Sequence, residues 1–124
     1  MVPWLQSDFI HAIQQRGKIV IEKRGLSSAA SAASAIVDCM RDWWCGSNGR
    51  MVSMGVFTTD SKETPGFDAT SYKVPKDLFF SLPVVCEGKG KLELVSDLTI
   101  DAFSASKIAE SLDELIEEKK LALG

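Results

Sequence analysis

The hydrophobic period of this chain changes twice, and that narrows the folds open to it. Phe9, Ile13, Val20 and Ile21 recur at helical spacing, as do Ala29, Ala32, Ala33, Ile36, Val37, Met40, Trp43 and Trp44. From Met51 the period shortens to two. Val52, Met54 and Val56 alternate with Ser53, Gly55 and Phe57, and Leu92 and Leu94 share one side of the stretch Lys91 to Ser96. Between them Leu78 to Cys86 is a longer apolar run. The helical period then returns with Ile108, Leu112, Leu115 and Ile116. The order α-α-β-β-β-α predicts an α+β fold, with helices packed on one face of a small antiparallel sheet.

The punctuation residues set the boundaries. The first helix is expected from Gln6 or Ser7 to Lys23, capped by Ser7 or Asp8 and closed by Gly25. Gly17 lies inside it and costs up to ~1 kcal/mol against alanine. Such a glycine is tolerated where another backbone comes close. The second helix opens at Ser27 or Ser28 and ends near Cys45, before Gly46; the first half of its apolar face holds only small residues. The segment "EGKGK" reads as a hairpin turn, and Pro83 favours an edge strand or a bulge. Residues 59–76 are polar, rich in turn formers and long for a loop, so they are expected to be functional or mobile. Asp101 caps a last helix reaching Ala122. Its solvated face carries Glu110, Asp113, Glu114, Glu117 and Glu118, with Lys119 and Lys120 at the negative end of its dipole.

Composition excludes several classes of function. At 124 residues, 45% hydrophobic and 25% charged, the chain reads most simply as one soluble domain. A formal net charge of -3 argues against nucleic acid or an anionic membrane as partner, since either requires a basic face. No run approaches the ~20 apolar residues of a membrane span, and the first residues do not form a secretory signal. The cytosol is the expected compartment. Cys39, Cys45 and Cys86 are odd in number and not at zinc spacing, so they read as reduced thiols, with Cys39 a small hydrophobe on an apolar helical face. The single histidine, His11, has no triad partner in view. Neither a GxGxxG turn nor a phosphate loop is present.

One resemblance reaches further. The segment "WLQSDFIHAIQQRGKIVIEKRGLSSAASAASAIVDCMRDWW" resembles the C-terminal, substrate-binding part of the lactate/malate dehydrogenase family, its cytosolic malate type in particular. So do "RMVSMGVFTTD" and "VPKDLFFSLPVVCEGKGKLELVSDLTIDAFSASKIAESLDELIEEK", in the same order and across essentially the whole chain, residues 1–124. The lactate type is the weaker match at "RGLSSAASAA". The resemblance implies an enzyme that interconverts L-malate and oxaloacetate by hydride transfer to and from NAD. It implies that NAD sits mainly on a preceding dinucleotide-binding domain, which this chain lacks. It also places the catalytic histidine, its aspartate and the substrate-gripping arginines upstream. His11, Arg16 and Arg24 do not match them. What carries over is Ser27 and Ser28, with Ala29 and Ala30 in the following turn, at the edge of the substrate and nicotinamide pocket. The first two helices resemble those through which the family forms homodimers. This chain alone is expected to be inactive. The alternative is a non-catalytic interaction or dimerisation module derived from such an enzyme.

Overall fold

The computed structural model describes residues 3–124. It holds α1 (Pro3–Gln6), α2 (Asp8–Arg24), α3 (Ala29–Cys45), β1 (Met51–Phe57), β2 (Phe79–Gly88), β3 (Lys91–Leu94) and α4 (Ala102–Leu123). The expected α+β order is present, with the short α1 added at the front. Pro3 stands at the first position of α1, where its missing N–H costs nothing. The chain divides into two compact units, one up to Met40 and one from Arg41 to Gly124.

In the first unit Ser7 is not the side-chain cap that the sequence suggested. It makes no capping bond to α2, because its hydroxyl donates to the Pro3 carbonyl at 3.1 Å. The other end follows expectation. Gly25 takes φ 65°, and its N–H returns to the Ile21 carbonyl at 2.8 Å. The apolar stripes of α2 and α3 are not covered. Neither helix holds a buried residue, and Ile13 and Ile36 are 57% and 62% exposed. Cys39 is exposed too, not packed as a core hydrophobe.

The second unit carries the core. Its sheet runs β1-β2-β3, antiparallel throughout, with Met54 opposite Leu82 and Val84 opposite Leu94. Met54, Val56, Leu82, Val84 and Cys86 are buried, and α4 adds Leu112, flanked by Ile108 and Ile116. Asp101 caps α4 as expected, its carboxylate accepting the Ser104 N–H at 2.8 Å.

Pro83 lies in β2, the central strand, contrary to the expectation of an edge. Its carbonyl accepts the Val95 N–H at 3.0 Å, one residue beyond the end of β3 at Leu94. In a strand, the N and C=O of one residue point to the same side. The missing N–H therefore faces Val95, whose carbonyl accepts the Tyr72 hydroxyl instead, so the absent ladder bond leaves no unpaired acceptor. The β2–β3 turn is the predicted hairpin. Its Lys89 and Gly90 N–H groups donate to the Trp44 and Trp43 carbonyls at 2.8 and 3.1 Å. Two orphan carbonyls at the end of α3 are satisfied in this way.

The long loop contributes to the core. Ala69, Tyr72 and Val74 are buried in it, and Phe67 bridges Thr58 in parallel. The Thr58 hydroxyl donates to the Pro75 carbonyl at 2.7 Å and accepts the Leu78 N–H at 3.1 Å. The Tyr72 hydroxyl donates to the Val95 carbonyl. Turn formers made this segment look solvated, but three of its side chains fill the core.

Candidate functional site

The left-handed Gly25 turns the chain out of α2, and α3 begins four residues later at Ala29. Ser27 and Ser28 occupy that turn and divide two tasks. The Ser27 hydroxyl accepts the Ala29 N–H at 3.2 Å, a local bond two residues on that satisfies the first N–H of the helix. The Ser28 carbonyl accepts the Ser31 N–H at 2.9 Å and opens the helix, but its hydroxyl has no partner among the described residues. Ser28 is half-buried, whereas Ser27, Ala29 and Ala30 are exposed. The first N–H groups of a 17-residue helix, with their partial positive charge, converge on this turn. An anion such as a substrate carboxylate suits that field.

Gly17 faces the same turn. A Cβ built on it would lie 3.6 Å from the Ser28 Oγ. The close neighbour that the sequence led us to expect at Gly17 is thus a side chain, not a backbone. A lone glycine within a helical stripe was the available signal, but nothing in the sequence tied it to Ser28.

No acid–base pair joins the serines. His11, Arg16 and Arg24 are exposed along α2. The groups with displaced pKa values lie elsewhere, each with a local cause. The Thr70 N–H holds the Asp68 carboxyl below its usual range. The Ser104 N–H does the same for Asp101, and the Asp60 carboxylate raises the Lys76 ammonium. Two cavities of about 350 and 330 Å³ flank α4, and neither includes Ser27 to Ala30. Among the described residues no cluster of three side chains could hold a metal ion. A dinucleotide pyrophosphate needs a glycine-rich turn leading into a helix, and the turn before α3 offers Ser27 and Ser28 in its place.

Two 17-residue helices lead in sequence into a three-stranded antiparallel sheet and a long C-terminal helix, an α/β arrangement. The chain belongs to the lactate/malate dehydrogenase family: residues 1–123 match its alpha/beta C-terminal domain. The cytoplasmic malate dehydrogenase of Medicago sativa is 45% identical over 120 residues, which are 96% of this chain and 33% of that protein. The crystal structure of malate dehydrogenase from Naegleria fowleri ATCC 30863 superposes with a TM-score of 0.80 at 41% identity, covering 96% of this chain and 33% of that one. Trichomonas vaginalis lactate dehydrogenase, in complex with NADH and oxamate, gives a TM-score of 0.78 at 26% identity, covering 99% and 35%. The chain therefore spans about a third of the length of the relatives it matches. No helix among the described residues is long and apolar enough to cross a membrane.

Proposed function

We propose that this chain is the C-terminal, substrate-binding part of an NAD-dependent malate dehydrogenase that interconverts L-malate and oxaloacetate in the cytoplasm. The observation that carries the reading is the α2–α3 turn, where the partner-free Ser28 hydroxyl stands at the positive end of α3. In the complete enzyme Ser28 donates to a carboxylate oxygen of the dicarboxylate, and the first-turn N–H groups add their field. Ser27 keeps the turn closed, and Ala29 and Ala30 line its edge without bulk. When bound on a preceding dinucleotide-binding domain, NAD supplies the hydride chemistry. This chain's residues orient the substrate and move no proton. The choice of malate over lactate rests on the 45% and 41% identities to malate dehydrogenases, against 26% to the lactate enzyme.

The exposed stripes of α2 and α3 add a second element, pairing of two enzyme copies through these helices. They equally favour the alternative of a module that binds a partner without turnover, since Ile36 and Val37 are 62% and 64% exposed. One assay separates the two readings. The 124-residue chain is mixed with a separately made dinucleotide-binding half, and NADH oxidation by oxaloacetate is followed at 340 nm on an absorbance scale. Turnover by the mixture, with neither half active alone, supports the enzyme reading. A mixture that stays silent while the two halves bind each other favours the module. Turnover with pyruvate but not oxaloacetate overturns the substrate.

A further inference from the structure

We propose that Asn48 is a site of spontaneous covalent modification, where the side-chain amide closes on the Gly49 nitrogen and leaves isoaspartate in the turn that joins α3 to β1. The chemistry is independent of the malate dehydrogenase reading. Asn48 is the chain's single asparagine, and glycine follows it. Both residues are exposed at the centre of a turn closed by the Arg50 N–H on the Ser47 carbonyl at 3.0 Å. Their φ values are 54° and 73°, the pattern of a two-residue type I′ turn. A Cβ on Gly49 would meet nothing within 4 Å. Neither the Gly49 N–H nor the Asn48 amide has a hydrogen-bond partner among the described residues. The nucleophile and the group it attacks are therefore both uncommitted, and the missing side chain of Gly49 leaves the approach to its nitrogen open.

The step needs only water. The Gly49 nitrogen loses its proton and bonds to the Asn48 Cγ. The Cγ–Nδ2 bond breaks, and the side-chain nitrogen leaves as ammonia with that proton. Because loss of an N–H proton comes first, the rate rises with pH. Water then opens the cyclic imide. Opening at Cγ gives aspartate on an unchanged backbone. Opening at the main-chain carbonyl carbon of residue 48 gives isoaspartate, whose backbone runs through Cβ and is longer. A two-residue turn has a fixed span, and the longer path breaks its closure. Ser47, which is fully buried, ties that closure to β2. Its hydroxyl donates to the Arg50 carbonyl at 2.6 Å and accepts the Cys86 N–H at 3.0 Å, and its own N–H donates to the Cys86 carbonyl at 2.9 Å. Aspartate keeps the path and adds only a charge two residues before Arg50, which already holds Asp42 at 2.9 Å.

The test ages the full-length native protein that carries this chain in mildly alkaline buffer, with a sample kept unfolded in urea as the reference. Trypsin cuts after Arg41 and Arg50, so residues 42–50 form one peptide with no other side-chain amide. Mass spectrometry follows its amide-to-acid conversion, and chromatography separates the two acids. The folded protein is expected to convert within a fewfold of the unfolded rate, with isoaspartate among the products. A folded sample that keeps its amide while the unfolded one converts overturns the proposal, and so does conversion to aspartate alone. Hydrogen exchange then reads the consequence. Aged protein is expected to exchange the Arg50 and Cys86 amides severalfold faster than fresh protein. Asn48→Asp, which carries the charge on a normal backbone, should match fresh protein. Equal exchange in aged and fresh protein, or an equal rise in Asn48→Asp, overturns the role given to the longer backbone.

Discussion

Gly66 is the position where one added carbon should do most damage. A Cβ there would fall 2.7 Å from the Phe57 carbonyl oxygen and 2.8 Å from the Thr59 Cγ2. Neither neighbour is free to retreat. The Phe57 carbonyl accepts the Phe67 N–H at 2.9 Å, and the Thr59 hydroxyl accepts the Ser61 N–H at 3.0 Å. Overpacking of this kind costs about 1–3 kcal/mol, and loss of the Phe67 bond adds about 0.5–1.5 kcal/mol. Gly66→Ala is therefore expected to destabilise the second unit by about 2–4 kcal/mol, the sum of those ranges cut short by partial relaxation. Gly55→Ala is the matched control, since nothing lies within 4 Å of its Cβ and the strand is otherwise regular. It should change stability by no more than about 0.5 kcal/mol. Urea unfolding followed through the methyl signals of Leu82 and Val84 reads the right unit, because both are fully buried in its core. Equal midpoints for the two variants would refute the claim that residues 60–76 are packed against the sheet.

Ser47 is completely buried, and its hydroxyl donates to the Arg50 carbonyl at 2.6 Å and accepts the Cys86 N–H at 3.0 Å. Ser47→Ala removes both buried bonds of the hydroxyl and should cost about 1–3 kcal/mol in the same urea assay. The Asp101 cap predicts a pH dependence. Its carboxyl is held below its ordinary range by the Ser104 N–H, so the stabilisation is present above the unfolded carboxylate pKa and is lost as pH falls through the folded one. The amide shifts of the first turn of α4 should report this loss on acidification, and Asp101→Asn should abolish it. With Ile36 and Val37 mostly exposed, the chain alone should bind a hydrophobic dye and sediment faster than a monomer. A dye-silent monomer would count against the uncovered stripes.

Period and punctuation made most of the fold legible. Met54, Val56 and Leu112 sit where their spacing placed them, and Gly25 and Asp101 end and begin helices by the chemistry that suggested them. The failures have physical causes. Pro83 was judged by its residue type, whereas its tolerance depends on the Tyr72 hydroxyl, distant in sequence, taking the Val95 carbonyl that faces it. Residues 60–76 were judged by composition, and Tyr72 and Val74 reach the core through contacts distant in sequence, such as the one from Tyr72 to Val95. Ser7 was judged a cap because hydroxyls cap helices, but α1 offered it a nearer carbonyl. The candidate segment was picked out through the family resemblance at "GLSSA", and the residues alone gave only a helix junction there. Which hydroxyl is bonded locally was not legible, because Ser27 and Ser28 are alike in sequence and differ only in what they reach.

The two units differ in what holds them, and the difference bears on the site. The second unit buries ten hydrophobic residues from its sheet, loop and α4, a core sufficient to order it. The α2–α3 hairpin buries none, and helices of 17 residues are marginal in water without an apolar face to cover. Capping by Gly25 and Ser27 contributes about 1 kcal/mol each at most, too little to replace a core. The first unit is therefore expected to open more readily than the second, and Ser27 and Ser28 with it. Hydrogen exchange on the isolated chain tests this. Amides of α2 should exchange with little protection while those of β2 and α4 are retained, and the complete native protein should protect all three. Equal protection of α2 and β2 in the isolated chain would mean that the hairpin stands by itself, and that the site is formed before anything covers it.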